Sequence, residues 1–82
     1  MNPVPQPYSE KQGQYLAFIH YYAKVHRVAP SEVDMQRYFQ VSPPSVHDMV
    51  CRLEAARLIE RTPGQGRSIR LLIAPEDLPT LG

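Results

Sequence analysis

Cysteine is almost absent from this sequence, and no long apolar run occurs in it. Cys51 is the single cysteine among 82 residues, which excludes an intramolecular disulfide framework and a cysteine-rich zinc site. No apolar stretch approaches the roughly 20 residues that a membrane-spanning helix needs, so a membrane span is excluded. The N-terminus also lacks the basic and apolar segments of a secretory signal, and we therefore expect a cytoplasmic protein.

A large excess of positive charge is absent as well, because the formal net charge is only +1 at pH 7. The arginines are nevertheless concentrated. Five of them lie from Arg52 to Arg70, against two glutamates, whereas Glu76 and Asp77 follow near the C-terminus. A basic segment suits contacts with phosphate groups. On charge alone, however, such a cluster is more often a solvated surface than a binding site.

The chain length suits one folded domain with two flanking tails. Pro3, Pro5 and Pro7 alternate near the N-terminus, and this pattern predicts a flexible, extended tail over residues 1–8. Residues 9–73 carry the helix and strand patterns and are predicted to form a single domain, because 82 residues support one small core. Residues 74–82 are predicted to form a C-terminal tail.

A capping-box pattern opens the first predicted helix. Ser9 supplies an N-cap hydroxyl and Gln12 follows three residues later, so the helix should begin here and run to about Val25. Apolar residues then recur at three- and four-residue spacing, which predicts one buried side. That side consists of Tyr15, Leu16, Phe18, Ile19, Tyr22 and Ala23. Tyr21 lies off it and is predicted to be exposed.

Two further helix starts lie only eleven residues apart. Ser31 is the predicted N-cap of the second helix, with Asp34 complementing its free amides. Ser42 caps the third helix, where Pro43 occupies the first position and its missing N–H costs nothing. The residues predicted to face the core are Met35, Tyr38, Phe39 and Val41, followed by Val46, Met49, Val50, Leu53 and a buried Cys51 thiol.

Two β-rich runs follow the third helix. Residues 59–61 are predicted to pair with residues 68–72 across a loop over residues 62–67, which contains Pro63, Gly64 and Gly66. We call the hairpin, residues 59–72, the wing. A helix-turn-helix followed by a hairpin predicts a mainly α fold with a small β-hairpin, that is, a three-helix winged helix-turn-helix.

The N-terminal end of the third helix, predicted over residues 42–57, has the position that a groove-reading helix requires. Such a helix presents short polar side chains to base edges and its free amides to phosphate. The residues that meet this requirement are Ser42, Pro44, Ser45, His47 and Asp48. The same residues also fit a cap, first-turn residues that complement the helix dipole, and a surface histidine. The pattern alone leaves both interpretations open.

The order of these segments resembles the DNA-binding domain of the LexA repressor family. The resemblance covers about Tyr8 to Ile73. It is carried by Ser9-Glu10-Lys11-Gln12, Ala29-Pro30-Ser31, residues 41–47, Leu58-Ile59-Glu60-Arg61 and residues 67–72. It implies sequence-specific binding to double-stranded DNA by a transcriptional repressor. The third helix would enter the major groove, and the wing would follow the adjacent backbone or minor groove.

The resemblance also implies which residues contact DNA. Ser42, Pro44, Ser45, His47 and Asp48 match the positions that family members use on operator DNA. The residues expected to contact phosphates are Arg52, Arg67 and Arg70, with Gln65 and Arg67 at the tip of the wing. Two positions depart from the family's pattern. Pro44 stands where asparagine or serine is common, so contact through shape is expected there. Gln40 replaces a glycine and must adopt a left-handed conformation or a different turn.

The family's C-terminal peptidase domain, with its serine-lysine dyad, does not occur in these 82 residues. We therefore expect no self-cleavage or other catalysis, no cofactor, no metal site and no small-molecule substrate. A homodimer on an operator with two half-sites is a further expectation, and the chain fits either an excised domain or a stand-alone regulator. The alternative function is a winged-helix module for protein interaction or dimerisation, favoured by the small net charge, Asp48 and the five tyrosines.

Overall fold

Three helices and a short hairpin make up the fold. The structure is a computed structural model that describes residues 7–82. In chain order the elements are α1 (Glu10–His26), α2 (Glu32–Phe39), α3 (Pro43–Ala55), β1 (Ile59–Glu60), β2 (Arg70–Leu71) and a short 3-10 helix (Pro75–Asp77). The strands pair antiparallel, with Ile59 opposite Leu71 and Glu60 opposite Arg70. The predicted three-helix winged helix-turn-helix is confirmed. Most of the predicted N-terminal tail lies outside the described residues.

Serine hydroxyls begin all three α-helices, as the sequence predicts. The Gln12 amide donates to Ser9 Oγ at 3.1 Å, and the Ser9 amide donates to Gln12 Oε1 at 2.9 Å. Ser31 and Asp34 repeat this reciprocal arrangement at the start of α2. These bonds satisfy amides that have no partner within the helix. They therefore fix where each helix begins, and with it the angle at which the chain enters.

The turn between α2 and α3 is left-handed at Gln40, with φ 55° and ψ 50°. This is the first of the two conformations that the sequence allowed for a non-glycine residue at this position. The Gln40 side chain donates back to the Arg37 carbonyl at 2.7 Å. That bond offsets part of the cost of about 1–2 kcal/mol that a left-handed residue with a Cβ carries. The turn leaves Ser42 free to cap α3.

The core lies between α1, α2, α3 and the hairpin. Its buried side chains are Tyr15, Leu16, Phe18, Ile19, Met35, Val46, Val50, Leu53, Leu58 and Ile59. The Tyr15 and Phe39 rings stack with their centroids 4.1 Å apart, which ties the end of α2 to α1. Since α3 is attached to this core by Val46, Val50 and Leu53, its opposite side faces solvent.

Two predicted core residues are exposed. Cys51 lies outside the core, because it follows Val50 and is therefore rotated by about 100° from that buried position. Tyr38 is 46% exposed, although its ring still contacts Phe18 with 4.6 Å between centroids. Phe39 takes the inward position in its place. Tyr21 is exposed, as predicted.

Residues 75–82 lie along α1. The Gln14 side chain donates to the Thr80 carbonyl at 3.0 Å and accepts from the Gly82 amide at 2.9 Å. The Tyr8 hydroxyl donates to the Asp77 carbonyl. Gly13 permits this close approach, because a Cβ there would lie 2.8 Å from the Tyr8 ring and 3.0 Å from the Pro79 ring. The C-terminal segment, which the sequence assigns to a tail, therefore packs against the first part of α1.

Gly13→Ala is expected to displace this C-terminal segment without unfolding the domain. The added methyl group collides with Tyr8 and Pro79, whereas alanine favours the helix by about 1 kcal/mol over glycine. Amide hydrogen exchange followed by NMR should become faster at Gly82. Gly66→Ala is the control, because a Cβ there meets nothing within 4 Å. Unchanged protection of the Gly82 amide in the Gly13 variant would contradict the packing.

Candidate nucleic-acid interface

The N-terminal half of α3 presents a polar, solvent-exposed surface. Its residues are Ser42, Pro44, Ser45, His47 and Asp48, and all five are exposed. Helical spacing brings them together, while Val46 and Val50 point into the core. We call these five residues the α3 surface. Its position at a helix N-terminus adds the partial positive charge of the helix dipole, which favours an anionic ligand.

The two serines of the α3 surface also bond to each other. Their hydroxyl oxygens are 2.9 Å apart, and the Ser45 amide donates to Ser42 Oγ at 3.4 Å. Ser42 is therefore a cap, as predicted. Pro44 contributes an apolar, rigid ring beside them. This end of the helix thus offers a rigid shape more than free polar groups, because Pro43 and Pro44 have no N–H and the Ser45 amide is bonded to Ser42.

His47 is held by two neighbours although its side chain is 63% exposed. Its Nδ1 lies 3.3 Å from Oε2 of Glu32, which begins α2. Its Nε2 lies 3.6 Å from Sγ of Cys51, one turn further along α3. The imidazole therefore has a defined orientation on the surface of the helix.

Asp48 and Arg52 form an ion pair along α3, with 2.9 Å between Oδ2 and Nε. Both side chains are largely exposed, so solvent screens the pair and it contributes little to stability. Lys11 of α1, also exposed, lines the same shallow depression as Ser45, Asp48 and Arg52. Sequence reasoning missed Lys11, because no local pattern indicates that the start of α1 lies beside α3. Two cations therefore border the α3 surface.

The sequence predicts that Arg67 contacts DNA from the tip of the wing. In the structure its side chain is bonded to other parts of the domain. Its Nη1 donates to the Tyr22 hydroxyl at 3.2 Å, the Ala29 carbonyl at 3.2 Å and Asp34 Oδ2 at 3.1 Å. The residue has a left-handed backbone, with φ 51°. The hydrogen bond to Tyr22, more than the charge of Asp34, raises the pKa of the Arg67 guanidinium. Arg67 thus fastens the wing to α1 and α2.

The other predicted wing residues lie further out. Arg70 pairs with Glu60, its partner on the opposite strand, and its side chain is largely exposed. Gln65 is exposed at the tip, where its amide donates to the Thr62 carbonyl at 3.1 Å. The structure therefore places Gln65 and Arg70 on the outside of the wing and Arg67 at its inner attachment.

Arg61 is a second arginine that holds the wing, and no role was predicted for it. Its Nη2 donates to Glu54 Oε1 at 2.8 Å, and its Nη1 donates to Glu32 Oε2 at 3.4 Å. The hydrogen bond between Arg61 and Glu54 is the main cause that lowers the pKa of the Glu54 carboxyl and raises that of the guanidinium. Because Glu32 belongs to α2 and Glu54 to α3, Arg61 joins the wing to both helices.

Most of the arginine cluster is therefore engaged within the molecule. Of its five members, four form ion pairs: Arg52, Arg61, Arg67 and Arg70. Arg57 has no ion pair within residues 7–82. In the described part of the chain, no three histidine, cysteine, aspartate or glutamate side chains group as metal ligands. No helix described is long and apolar enough to cross a membrane.

The three-helix core, the left-handed turn before α3 and the hairpin define a winged helix-turn-helix protein. No protein-family model matches the chain. Over 70 residues the chain is 34% identical to a LexA repressor of Thermosipho melanesiensis, an alignment that covers 85% of this chain and 35% of the relative. The chain thus spans about a third of that relative's length. The predicted resemblance to the DNA-binding domain of the LexA repressor family is confirmed.

Proposed function

We propose that the chain is a sequence-specific, double-stranded DNA-binding regulator of transcription. One observation carries the proposal: the α3 surface is polar, exposed and mounted on a core through Val46, Val50 and Leu53. An α-helix fits the major groove of B-DNA, and its N-terminal residues are those that reach base edges in helix-turn-helix proteins. In this arrangement α3 enters the major groove and the wing follows the adjacent backbone.

The residues of the α3 surface take different roles in this proposal. Ser45, His47 and Asp48 face base edges, because their side chains carry donors or acceptors. Ser42 caps α3, whose positive dipole end favours phosphate, and Pro44 contacts the DNA through its shape. Asp48 is released from Arg52 at little cost, since both groups are already solvated.

Cations beside the α3 surface and on the wing contact phosphates. Arg52 and Arg70 keep the role expected from the sequence, Gln65 contacts the backbone at the tip of the wing, and Lys11 joins them. Arg67 acts mainly as the attachment of the wing, given its three intramolecular bonds. Neutralising about three to five phosphates would make the logarithm of the affinity fall against the logarithm of salt with a slope of roughly −3 to −5.

Repression would follow from occupancy of an operator. The relative from Thermosipho melanesiensis is named a repressor, and the alignment covers 35% of its length. We therefore propose the repressor role for this chain. Two copies on neighbouring half-sites would bind more tightly than one, because helix-turn-helix dimers match operators of pseudo-twofold symmetry. A single copy of the chain should therefore bind a half-site weakly.

A protein-interaction module is the second candidate, and two observations favour it. Val25 is 72% exposed, and Val28 and Val33 are about half exposed, on the stretch of chain from the last turn of α1 to the first turn of α2. Apolar side chains that remain in solvent are common at protein interfaces. The ion pairing of four of the five arginines also reduces the charge available to a nucleic acid.

Selection from a randomised duplex library at low salt distinguishes the two candidates. The best duplex is then titrated at increasing salt against a scrambled duplex of equal length. Enrichment of a motif, with a preference over the scrambled duplex, is the result expected for a sequence-specific regulator. Salt-sensitive binding without enrichment would mean contact with the backbone alone. No binding at low salt would contradict the proposal and favour the protein-interaction module.

Lys11→Ala is expected to weaken binding to all duplexes alike, by roughly five- to tenfold at low salt, and to reduce the salt slope by about one. Lys11 borders the α3 surface, so its removal takes away a phosphate contact without changing base readout. Fluorescence anisotropy at several salt concentrations measures both quantities. Lys24→Ala is the control, because Lys24 lies near the other end of α1. Equal effects of the two substitutions would contradict the role of Lys11.

A further inference from the structure

His47 is the one side chain of the α3 surface that bonds to another helix. Its Nδ1 faces Oε2 of Glu32 at 3.3 Å. Glu32 is the first residue of α2, so the contact crosses the helix-turn-helix. The remaining nitrogen, Nε2, has a longer contact of 3.6 Å with the Cys51 thiol. The imidazole is thus fixed from one side by a carboxylate.

The Glu32 carboxylate is itself held in place. The oxygen that faces His47 also accepts from Arg61 Nη1 at 3.4 Å. Arg61 in turn bonds to Glu54 at 2.8 Å, and its side chain is only 26% exposed. The Arg61 guanidinium restrains the Glu32 carboxylate, so the carboxylate does not follow the imidazole when the ring moves. Glu32 therefore holds the His47 ring in position.

The chemistry of this contact sets the tautomer of the neutral ring. An ionised carboxylate can only accept hydrogen bonds, so Nδ1 must carry the proton when the imidazole is uncharged. Nε2 then keeps its lone pair and acts as an acceptor. In the major groove, adenine and cytosine present amino groups that suit an acceptor, whereas guanine presents acceptors that do not.

We propose that Glu32 is a positioning residue that determines the base preference of His47. This inference rests on the proposed function, since it requires α3 to lie in the major groove. Glu32 selects the Nδ1–H tautomer, and His47 Nε2 then accepts from an adenine or cytosine amino group. The weak contact with the Cys51 thiol is exchanged for the stronger one with the base. Without Glu32 the ring rotates and populates both tautomers, so the preference at that base pair falls.

The tautomer is measured first, in the free protein. Nitrogen-15 NMR of the imidazole at mildly alkaline pH, where histidine side chains are neutral, distinguishes the protonated ring nitrogen. The wild-type protein should show His47 as the Nδ1–H tautomer, and Glu32→Ala should show a mixture. Glu54→Ala is the matched control, because it also removes a carboxylate from Arg61 but has no contact with His47. It should leave the tautomer unchanged.

Base preference is measured next, by duplex selection with the same three proteins. Glu32→Ala should reduce discrimination at one base pair by roughly three- to tenfold, the range expected for one net hydrogen bond. The other positions of the selected motif should be unchanged. Glu54→Ala should select the wild-type motif. This comparison separates an effect on His47 from a general loosening of Arg61.

Three results would overturn the proposal. One is an unchanged tautomer in Glu32→Ala, and another is a changed tautomer with unchanged base preference. The third is an equal loss of discrimination in Glu54→Ala, because the effect would then pass through Arg61. A wild-type protein that enriches no motif would overturn the proposed function as well. The tautomer in the free protein then shows separately whether Glu32 holds the ring.

Discussion

Leu53→Ala is expected to lower the free energy of unfolding by about 2–5 kcal/mol, the usual cost of truncating a buried leucine. Leu53 is fully buried on the inner side of α3, so the substitution leaves a cavity where the helix meets the core. For a domain of 82 residues, whose total stability is on the order of 4–12 kcal/mol, this is a large fraction. Urea denaturation followed by circular dichroism measures the change.

Leu72→Ala is the matched control for this substitution. Leu72 is 47% exposed, and removing its side chain should cost less than about 1 kcal/mol. The same leucine-to-alanine change therefore compares a buried position, where α3 packs on the core, with an exposed position on the outside of the wing. Equal losses at Leu53 and Leu72 would contradict the way in which α3 is attached to the core, and with it the outward direction of the α3 surface.

Asp34→Ala is expected to cost about 1–2 kcal/mol, because it removes half of the capping box that begins α2. The Asp34 carboxylate accepts from the Ser31 amide at 2.8 Å and from Arg67 at 3.1 Å. The start of α2 and the attachment of the wing should therefore loosen together. Thermal unfolding measures the first effect, and amide exchange in the loop over residues 62–67 measures the second. Asp77→Ala, at an exposed aspartate, should change neither.

This stabilisation by Asp34 depends on pH in a defined direction. The hydrogen bond from the Ser31 backbone, followed by the hydroxyls of Ser31 and Tyr22 and by Arg67, lowers the pKa of Asp34 below its ordinary value of 3.8. The carboxylate therefore stabilises the fold fully above pH 3.8, and the contribution is lost as the pH falls through the lower value in the folded state. The stability difference between wild type and Asp34→Ala should shrink over this interval. A constant difference would contradict the role of the charge.

Local patterns predicted the helix starts well. Ser9, Ser31 and Ser42 each bond to a residue three positions later, so a few neighbouring residues contain the whole signal. The left-handed conformation of Gln40 is one of the two that the sequence left open for a non-glycine residue in this turn. Interactions within four residues are readable from sequence because the helix geometry fixes them.

Burial was harder to predict where two adjacent residues were both suitable for the core. Cys51 follows Val50, and Tyr38 precedes Phe39. In these two pairs only one residue faces the core, because successive helical residues are rotated by about 100° and α2 and α3 each bury a narrow side. The wider buried side of α1, in contrast, includes both Tyr15 and Leu16. Packing against α1 selected Phe39, which stacks on Tyr15. Which of the two residues is buried depends on a contact with a residue distant in sequence. The periodicity of a single helix carries no information about that contact.

The contacts of the wing arginines could not be predicted for the same reason. Arg67 bonds to Tyr22 and Asp34, which are 45 and 33 residues away. Arg61 bonds to Glu32, 29 residues away. The basic cluster in the sequence predicts phosphate binding, but it contains no signal for the tertiary contacts that these two side chains make within the fold. Lys11 was missed because its place beside α3 likewise follows from the fold alone.

Chemical-shift mapping is the most direct test of the proposal that α3 and the wing bind DNA. The nitrogen-15 labelled protein is titrated with the duplex that selection returns, and with a scrambled duplex as control. If α3 enters the major groove, the largest changes should occur in the amides of Ser42, of Ser45 to Arg52 and of Gln65 to Arg70, with little change around Val25, Val28 and Val33. Changes confined to Val25, Val28 and Val33, with the α3 surface unaffected, would contradict DNA binding through α3.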